Sequence, residues 1–233
     1  MPNIAMIIEY DGSSYYGFQK QPQANIKTIQ GVLELAIFSF TNEPISVIAS
    51  GRTDAKVHAS YQVINFTTNL IRPLHAWLRG VNNFLPPDIV ICEVVVAPDN
   101  FNARFDAKSR TYHYYLLNSP VKSAILSGKV GWYPKALDFI KISEAMEHLL
   151  GTHDFSCFRA SLCQANSAIK TMIESKLVIH KDIACFIFKA NAFLYHMVRN
   201  MVGALIYVGL NKISVNDCIN LLVQKDRTKA LPT

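Results

Sequence analysis

The chain has 233 residues, 50% of them apolar and 17% charged, with a formal net charge of +6. That length suits one or two compact domains, burying about 70–75% of the unfolded surface without a disulfide or metal staple. So apolar a composition excludes disorder as the main state, and the longest apolar runs, such as residues 89–91 and 204–208, fall far short of the roughly 18–20 residues a bilayer requires.

Residues 4–10, rich in isoleucine and closed by the turn signal Asp11-Gly12, read as a strand. Apolar residues at Ile29, Val32, Leu33, Ala36, Ile37 and Phe40 follow helical spacing, with Thr28 as the N-cap. Residues 45–49 and 61–66 read as strands flanking a polar connection, residues 50–60. Pro73 opens a helix through Asn83, because proline suits a first helical turn, and residues 89–96 follow as a strand. Strand, helix, strand, strand, helix, strand is the split βαβ order of ferredoxin-like folds.

The same order then starts again. Residues 110–117 read as an aromatic-rich strand, and residues 143–150 lie in a helix that Gly151 ends at the C′ position. Residues 173–179 and 183–189 read as strands joined by a tight turn. A helix over residues 193–208 places Phe193, Met197, Met201 and Leu205 four apart, and Ser214 caps a shorter helix ending near Gln224. The chain stops at Thr233 where a sixth strand is expected, so the last strand reads as missing. We divide the chain into residues 1–105 and 106–233, two α+β halves of one continuous sheet, with the cleft between them as the natural place for a site.

The N-terminus lacks a basic region followed by an apolar stretch and reads as mature cytoplasmic sequence. Cys92, Cys157, Cys163, Cys185 and Cys218 are never spaced Cys-x-x-Cys, which argues against a disulfide framework or a structural zinc. Cys92 and Cys185 stand in apolar stretches and read as small buried hydrophobes. The basic balance weakly favours a polyanionic partner.

The polar connection carries the most chemistry, packing a cation, a carboxylate and an imidazole into Arg52, Asp54 and His58. Loops held by a rigid sheet are where such groups concentrate. In extended backbone Arg52 and Asp54 project to one face, where the guanidinium favours the ionised carboxylate and suits it to act as nucleophile. The same spacing equally describes a structural ion pair in a turn. Asp54 and His58 offer two metal ligands without a third, and adjacent His153 and Asp154 point apart, so a metal-dependent phosphoesterase is disfavoured.

Gly51-Arg52-Thr53-Asp54-Ala55 followed by Val57-His58-Ala59 resembles the signature of the tRNA pseudouridine synthase A family. The resemblance covers almost the whole chain. It takes in Tyr10-Asp11-Gly12, Tyr16-Gly17-Phe18-Gln19, the segment from Phe101 to Phe105, and the strand Arg110-Thr111-Tyr112-His113-Tyr114. It continues through His153-Asp154-Phe155, Phe158-Arg159, residues 189–193, and His196-Met197-Val198-Arg199-Asn200 with Gly203. It implies a pseudouridine synthase fold of α+β class: two ferredoxin-like halves in a continuous mixed or antiparallel sheet, helices on one side and a central cleft.

The implied activity is conversion of uridine to pseudouridine at positions 38, 39 and 40 of the tRNA anticodon stem-loop, by a homodimer without cofactor or metal. Asp54 matches the nucleophile, Tyr112 the active-site tyrosine and Arg199 the basic partner of the carboxylate. Arg199 lies in a mostly apolar helix, where an arginine is costly unless paired, and His196 lies one helical turn before it on the same face. Arg52, Lys56, His58, Arg110 and His196 are expected to bind substrate along with Tyr112, Arg52 by meeting phosphate or filling the gap left by a flipped nucleotide. Arg72, Arg79, Arg104, Lys108, Arg159 and Lys170 are further candidates for phosphate contacts.

Two departures stand out. Lys56 replaces the family's glycine, which costs roughly 1–2 kcal/mol if the backbone there is left-handed. Family members also continue past the segment matched by Lys225-Asp226-Arg227-Thr228 into another strand, whose loss would open a sheet edge and leave the pocket incomplete. The alternative is therefore a catalytically impaired or non-catalytic tRNA-binding protein of the same fold. The aromatic-rich RNP1 pattern of other RNA-binding modules is absent.

Overall fold

Period-two alternation places Ile4, Met6, Ile8 and Tyr10 on one face of a strand, against a helix stripe of Ile29, Leu33 and Ile37. This packing begins the first of two compact units, Met1–Ala107 and Lys108–Thr233. The structure, a computed structural model, describes residues 1–23, 26–160, 163 and 165–224. The segment Lys225-Asp226-Arg227-Thr228, and with it the question of a missing last strand, lies outside the described residues. Among the described residues no helix is long and apolar enough to cross a membrane.

The first unit runs β1 (Asn3–Tyr10), α1 (Ile29–Thr41), β2 (Ile48–Ala49), β3 (Ala59–Thr67), α2 (Leu74–Asn82), β4 (Ile89–Ala97) and the short α3 (Ala103–Asp106). Its sheet has the order β2-β3-β1-β4, every neighbouring pair antiparallel. Thr28 accepts the Gly31 N–H at 3.2 Å and so caps α1 as expected. Trp77 and Val81 bring α2 onto the same core, where Trp77 meets Phe40 and Phe66 at ring-centroid distances of 5.2 and 5.7 Å. Pairing of the second strand starts only at Ile48. Before it, the Val47 N–H goes to Glu34 and the Val47 carbonyl to Gln30, both on α1, so residues 45–47 are not strand.

Cys92 is exposed, contrary to expectation. Ile7 pairs with Glu93 and Ile8 with Ile91, so Cys92 is the extra residue of a bulge, and the alternation that would have buried it is interrupted. All five cysteines are free, and burial pushes the Cys157 and Cys218 thiols up to about 12 and about 11.

The second unit runs β5 (Arg110–Asn118), β6 (Gly131–Tyr133), α4 (Phe139–Glu147), β7 (Gly151–Asp154), β8 (Ile169–His180), β9 (Ile183–Ala190), α5 (Met197–Gly209) and α6 (Val215–Gln224). Its sheet order is β6-β5-β9-β8-β7, antiparallel except for β5 with β6. Phe186 and Phe188 of β9 are fully buried among Met146, Met201 and Val208 of the overlying helices. The described strands are thus a four-stranded sheet in the first unit and a five-stranded sheet in the second. The unforeseen β6 takes up β5's edge over residues 116–118, while β7 flanks β8.

Two boundaries differ from their periodicity. α4 ends at Glu147, the Leu149 and Leu150 N–H groups bond three residues back, and Gly151 at φ +97° opens β7 instead of capping a helix. α5 begins at Met197, not Phe193, because the backbone turns left-handed at His196, φ +59°.

Candidate active site

The polar connection leaves the sheet between β2 and β3. The Ser50 N–H still bonds to the Val63 carbonyl at 2.9 Å, and the Gln62 amide donates to the Gly51 carbonyl. Beyond that point the loop is held by a different segment, residues 10–18. Tyr10, 2% exposed, meets the Thr53 hydroxyl through its own at 2.7 Å. The Phe18 N–H donates to the Thr53 carbonyl at 3.0 Å, and the Lys56 N–H to the Tyr15 carbonyl at 3.2 Å.

Asp54 sits between those two bonds, half-buried, and its carbonyl accepts the Val57 N–H at 3.2 Å to form a turn. Residues 52–54 are not strand, so the rule that placed Arg52 and Asp54 on one face has no strand to act on; Arg52 is exposed and Asp54 is not.

Two glycines make this approach possible. A Cβ on Gly12 would lie 2.0 Å from the Val57 carbonyl oxygen, and one on Gly17 2.8 Å from that of Thr53. Gly17 also holds φ +93°, a region L side chains avoid. The segment is anchored from behind. Tyr15 donates its hydroxyl to Asp88 at 2.6 Å, and burial together with that bond pushes the phenol well above its ordinary pKa. The Gly17 and Phe18 carbonyls accept the N–H groups of Ile29 and Gln30 at the start of α1. The sequence offered Asp11-Gly12 as a turn signal and, with Tyr16-Gly17-Phe18-Gln19, as part of the family resemblance, but not as the support of the Asp54 loop. What it does carry is two glycines five apart beside tyrosines, a pattern suited to close backbone approach.

Lys56 is exposed and holds φ +65°, so the residue replacing the family glycine occupies a left-handed position. His58 turns toward the scaffold: Nδ1 lies 2.9 Å from Asp11 Oδ1 and 3.2 Å from the Gly12 nitrogen.

In the second unit Tyr112 is half-buried on β5, its ring edge-on to Phe193 at 4.8 Å and 77°. Tyr114 shares its face, and burial raises that phenol's pKa while the Arg199 guanidinium pulls it down. Arg110 donates to the Asn191 carbonyl at 2.9 Å, tying β5 to the turn after β9. Arg199 lies in the first turn of α5 and is exposed, between the buried Met197 and Met201. A burial penalty therefore does not require it to be paired. His196 stands outside the helix with its ring 3.9 Å from that of Tyr195, so the helical spacing that aligned it with Arg199 does not apply. Among the phosphate candidates, Arg159 and Lys170 donate to backbone carbonyls, and Arg72 and Arg104 lie over Phe40 and Phe105.

Residues 6–106 and 145–233 match the family model described as tRNA pseudouridine synthase. The chain is 48% identical to tRNA pseudouridine synthase A of Chromobacterium violaceum over 231 residues, 99% of this chain and 87% of that protein. It is 48% identical to the Herminiimonas arsenicoxydans protein of the same name, over 99% of this chain and 84% of the relative. With the Paraburkholderia phytofirmans protein of that name the identity is 42%, over 100% of this chain and 86% of the relative.

The left-handed backbone at Lys56 yields a stability test. Lys56→Gly relieves the Cβ penalty and adds some unfolded-state entropy, a net stabilisation of about 0.5–1 kcal/mol. Denaturant titration should show a raised midpoint with an unchanged slope; a lowered midpoint contradicts the strain.

Proposed function

The chain belongs to the tRNA pseudouridine synthase family, and from that premise we propose that Asp54 is the nucleophile, Tyr112 the aromatic face for the displaced uracil and Arg199 the basic group serving the carboxylate. The enzyme isomerises uridine to pseudouridine in tRNA. In that reaction the bond from N1 to the ribose breaks, carbon 5 takes its place on C1′, carbon 5 gives up its hydrogen and N1 gains one. The observation that carries the proposal is the half-buried Asp54 on a loop fixed by backbone bonds on both sides. Such fixing keeps a carboxylate aimed without reorganisation when charge develops.

Tyr112 supports the reading by its chemistry and place: its half-buried ring on β5 stands edge-on to Phe193, and a phenol suits the flat face and polar edge of a flipped base. The role of Arg199 rests on its match to the family's basic residue and on its place at the start of α5. Lys56 and Arg52, both exposed on the Asp54 loop, would meet backbone phosphates. Arg110 and His196 would serve substrate binding by shaping the turns beside Tyr112. His58, facing Asp11, would act on substrate only through the loop it holds.

On this reading the fold is that of two ferredoxin-like halves, and the enzyme works in the cytoplasm as a homodimer. Its targets are positions 38, 39 and 40 of the anticodon stem-loop, and it needs neither cofactor nor metal.

Asp54→Asn removes the nucleophile with little change in shape. It should bind unmodified tRNA within about threefold of the parent and form no pseudouridine by nucleoside chromatography of the digested RNA; retained product formation overturns the assignment. Lys56→Gly should weaken tRNA binding and lower the slope of log affinity against log salt by about 1, the loss of one phosphate contact. An unchanged slope removes Lys56 from the interface.

A further inference from the structure

Tyr15, Tyr16 and Phe18 stand close together in sequence and fare differently. Tyr15 and Phe18 are 2% exposed and belong to the core of the first unit, whereas Tyr16 is 64% exposed. An exposed aromatic is ordinary on a mobile loop, but Tyr16 has its backbone bonded on both sides. Its N–H donates to the Lys27 carbonyl at 3.0 Å, and its own carbonyl accepts the Gln21 amide at 3.2 Å. Gly17, the next residue, is locked against Thr53, and the preceding carbonyl takes the Lys56 N–H. The ring is therefore presented from the backbone junction that carries Asp54, a loop on which Lys56 and Arg52 are also exposed.

We infer that Tyr16 is a stacking platform for a nucleobase of the bound tRNA, distinct from the uridine that reacts. The inference rests on the tRNA reading above and adds a base-contact site to it. A tyrosine held in place by its backbone loses little freedom on binding, offers a flat π-face to any base, and needs no edge-specific hydrogen bonds. The exposed cations of the Asp54 loop, Lys56 and Arg52, suit the phosphates that flank a stacked nucleotide. The contact is sequence-tolerant: it grips a nucleotide near the target and does not choose among bases.

The test places Tyr16→Ala, Tyr16→Phe and the parent in the Asp54→Asn background and titrates each with one unmodified tRNA transcript. Binding is then read without catalysis. The alanine variant should bind about tenfold more weakly and the phenylalanine variant should recover the parent affinity, with equal thermal midpoints for all three. With Asp54 restored, the alanine variant should raise the tRNA concentration for half-maximal rate and spare the saturating rate. Parent-like tRNA affinity in the alanine variant overturns the inference, as does a lowered saturating rate with unchanged affinity, which would make Tyr16 a loop-positioning residue. If the parent enzyme forms no pseudouridine while Tyr16→Ala still loses tRNA affinity, the isomerase reading fails and the stacking site stands.

Discussion

A side-chain carboxylate is aimed only as well as the backbone beneath it, and in the first unit that backbone is held by amide-to-carbonyl bonds from residues 15–18. The bonds run from Phe18 to Thr53 and from Lys56 to Tyr15, one on each side of Asp54. They require the two segments to come closer than most side chains permit, which is why Gly12 and Gly17 stand where a Cβ would strike carbonyl oxygens. The same approach leaves no space for a change at either glycine.

The second unit uses other means to the same end. Tyr112 lies on a strand paired to β9 and is steadied by Phe193, a residue of the turn that also takes the Arg110 hydrogen bond through Asn191. Left-handed, non-glycine residues recur near the candidate groups in both units: Lys56 lies two residues after Asp54, and His196 three before Arg199. Such conformations cost free energy and persist only where the surroundings over-determine them. Each stands within three residues of a candidate side chain.

The main elements were legible because their patterns are local. Residues 4–10 alternate, Thr28 precedes a helical stripe, and the tight turn between β8 and β9 is bounded by apolar runs on both sides. The structure departs from these patterns where a non-local bond replaces the local one. Side chains of α1 satisfy the backbone of Val47 and postpone β2, a bulge turns Cys92 outward, and His196 delays α5 despite four-residue spacing from Phe193. The candidate site was legible as a motif and not as an arrangement. Nothing local reveals that His58 faces Asp11, that Arg199 is exposed, or that residues 10–18 carry the loop, since each depends on segments distant in the chain.

The central claim is that backbone contact between residues 10–18 and the Asp54 loop sets the catalytic rate. The most direct measurement is hydrogen release from carbon 5 of labelled uridine in tRNA, at saturating tRNA, by Gly17→Ala. A methyl group there meets the Thr53 carbonyl and forbids φ +93°. The account predicts a rate at least about tenfold below the parent, a loss of about 1.4 kcal/mol or more in transition-state stabilisation, while circular dichroism shows a folded chain. A folded variant that releases hydrogen within twofold of the parent rate would contradict it.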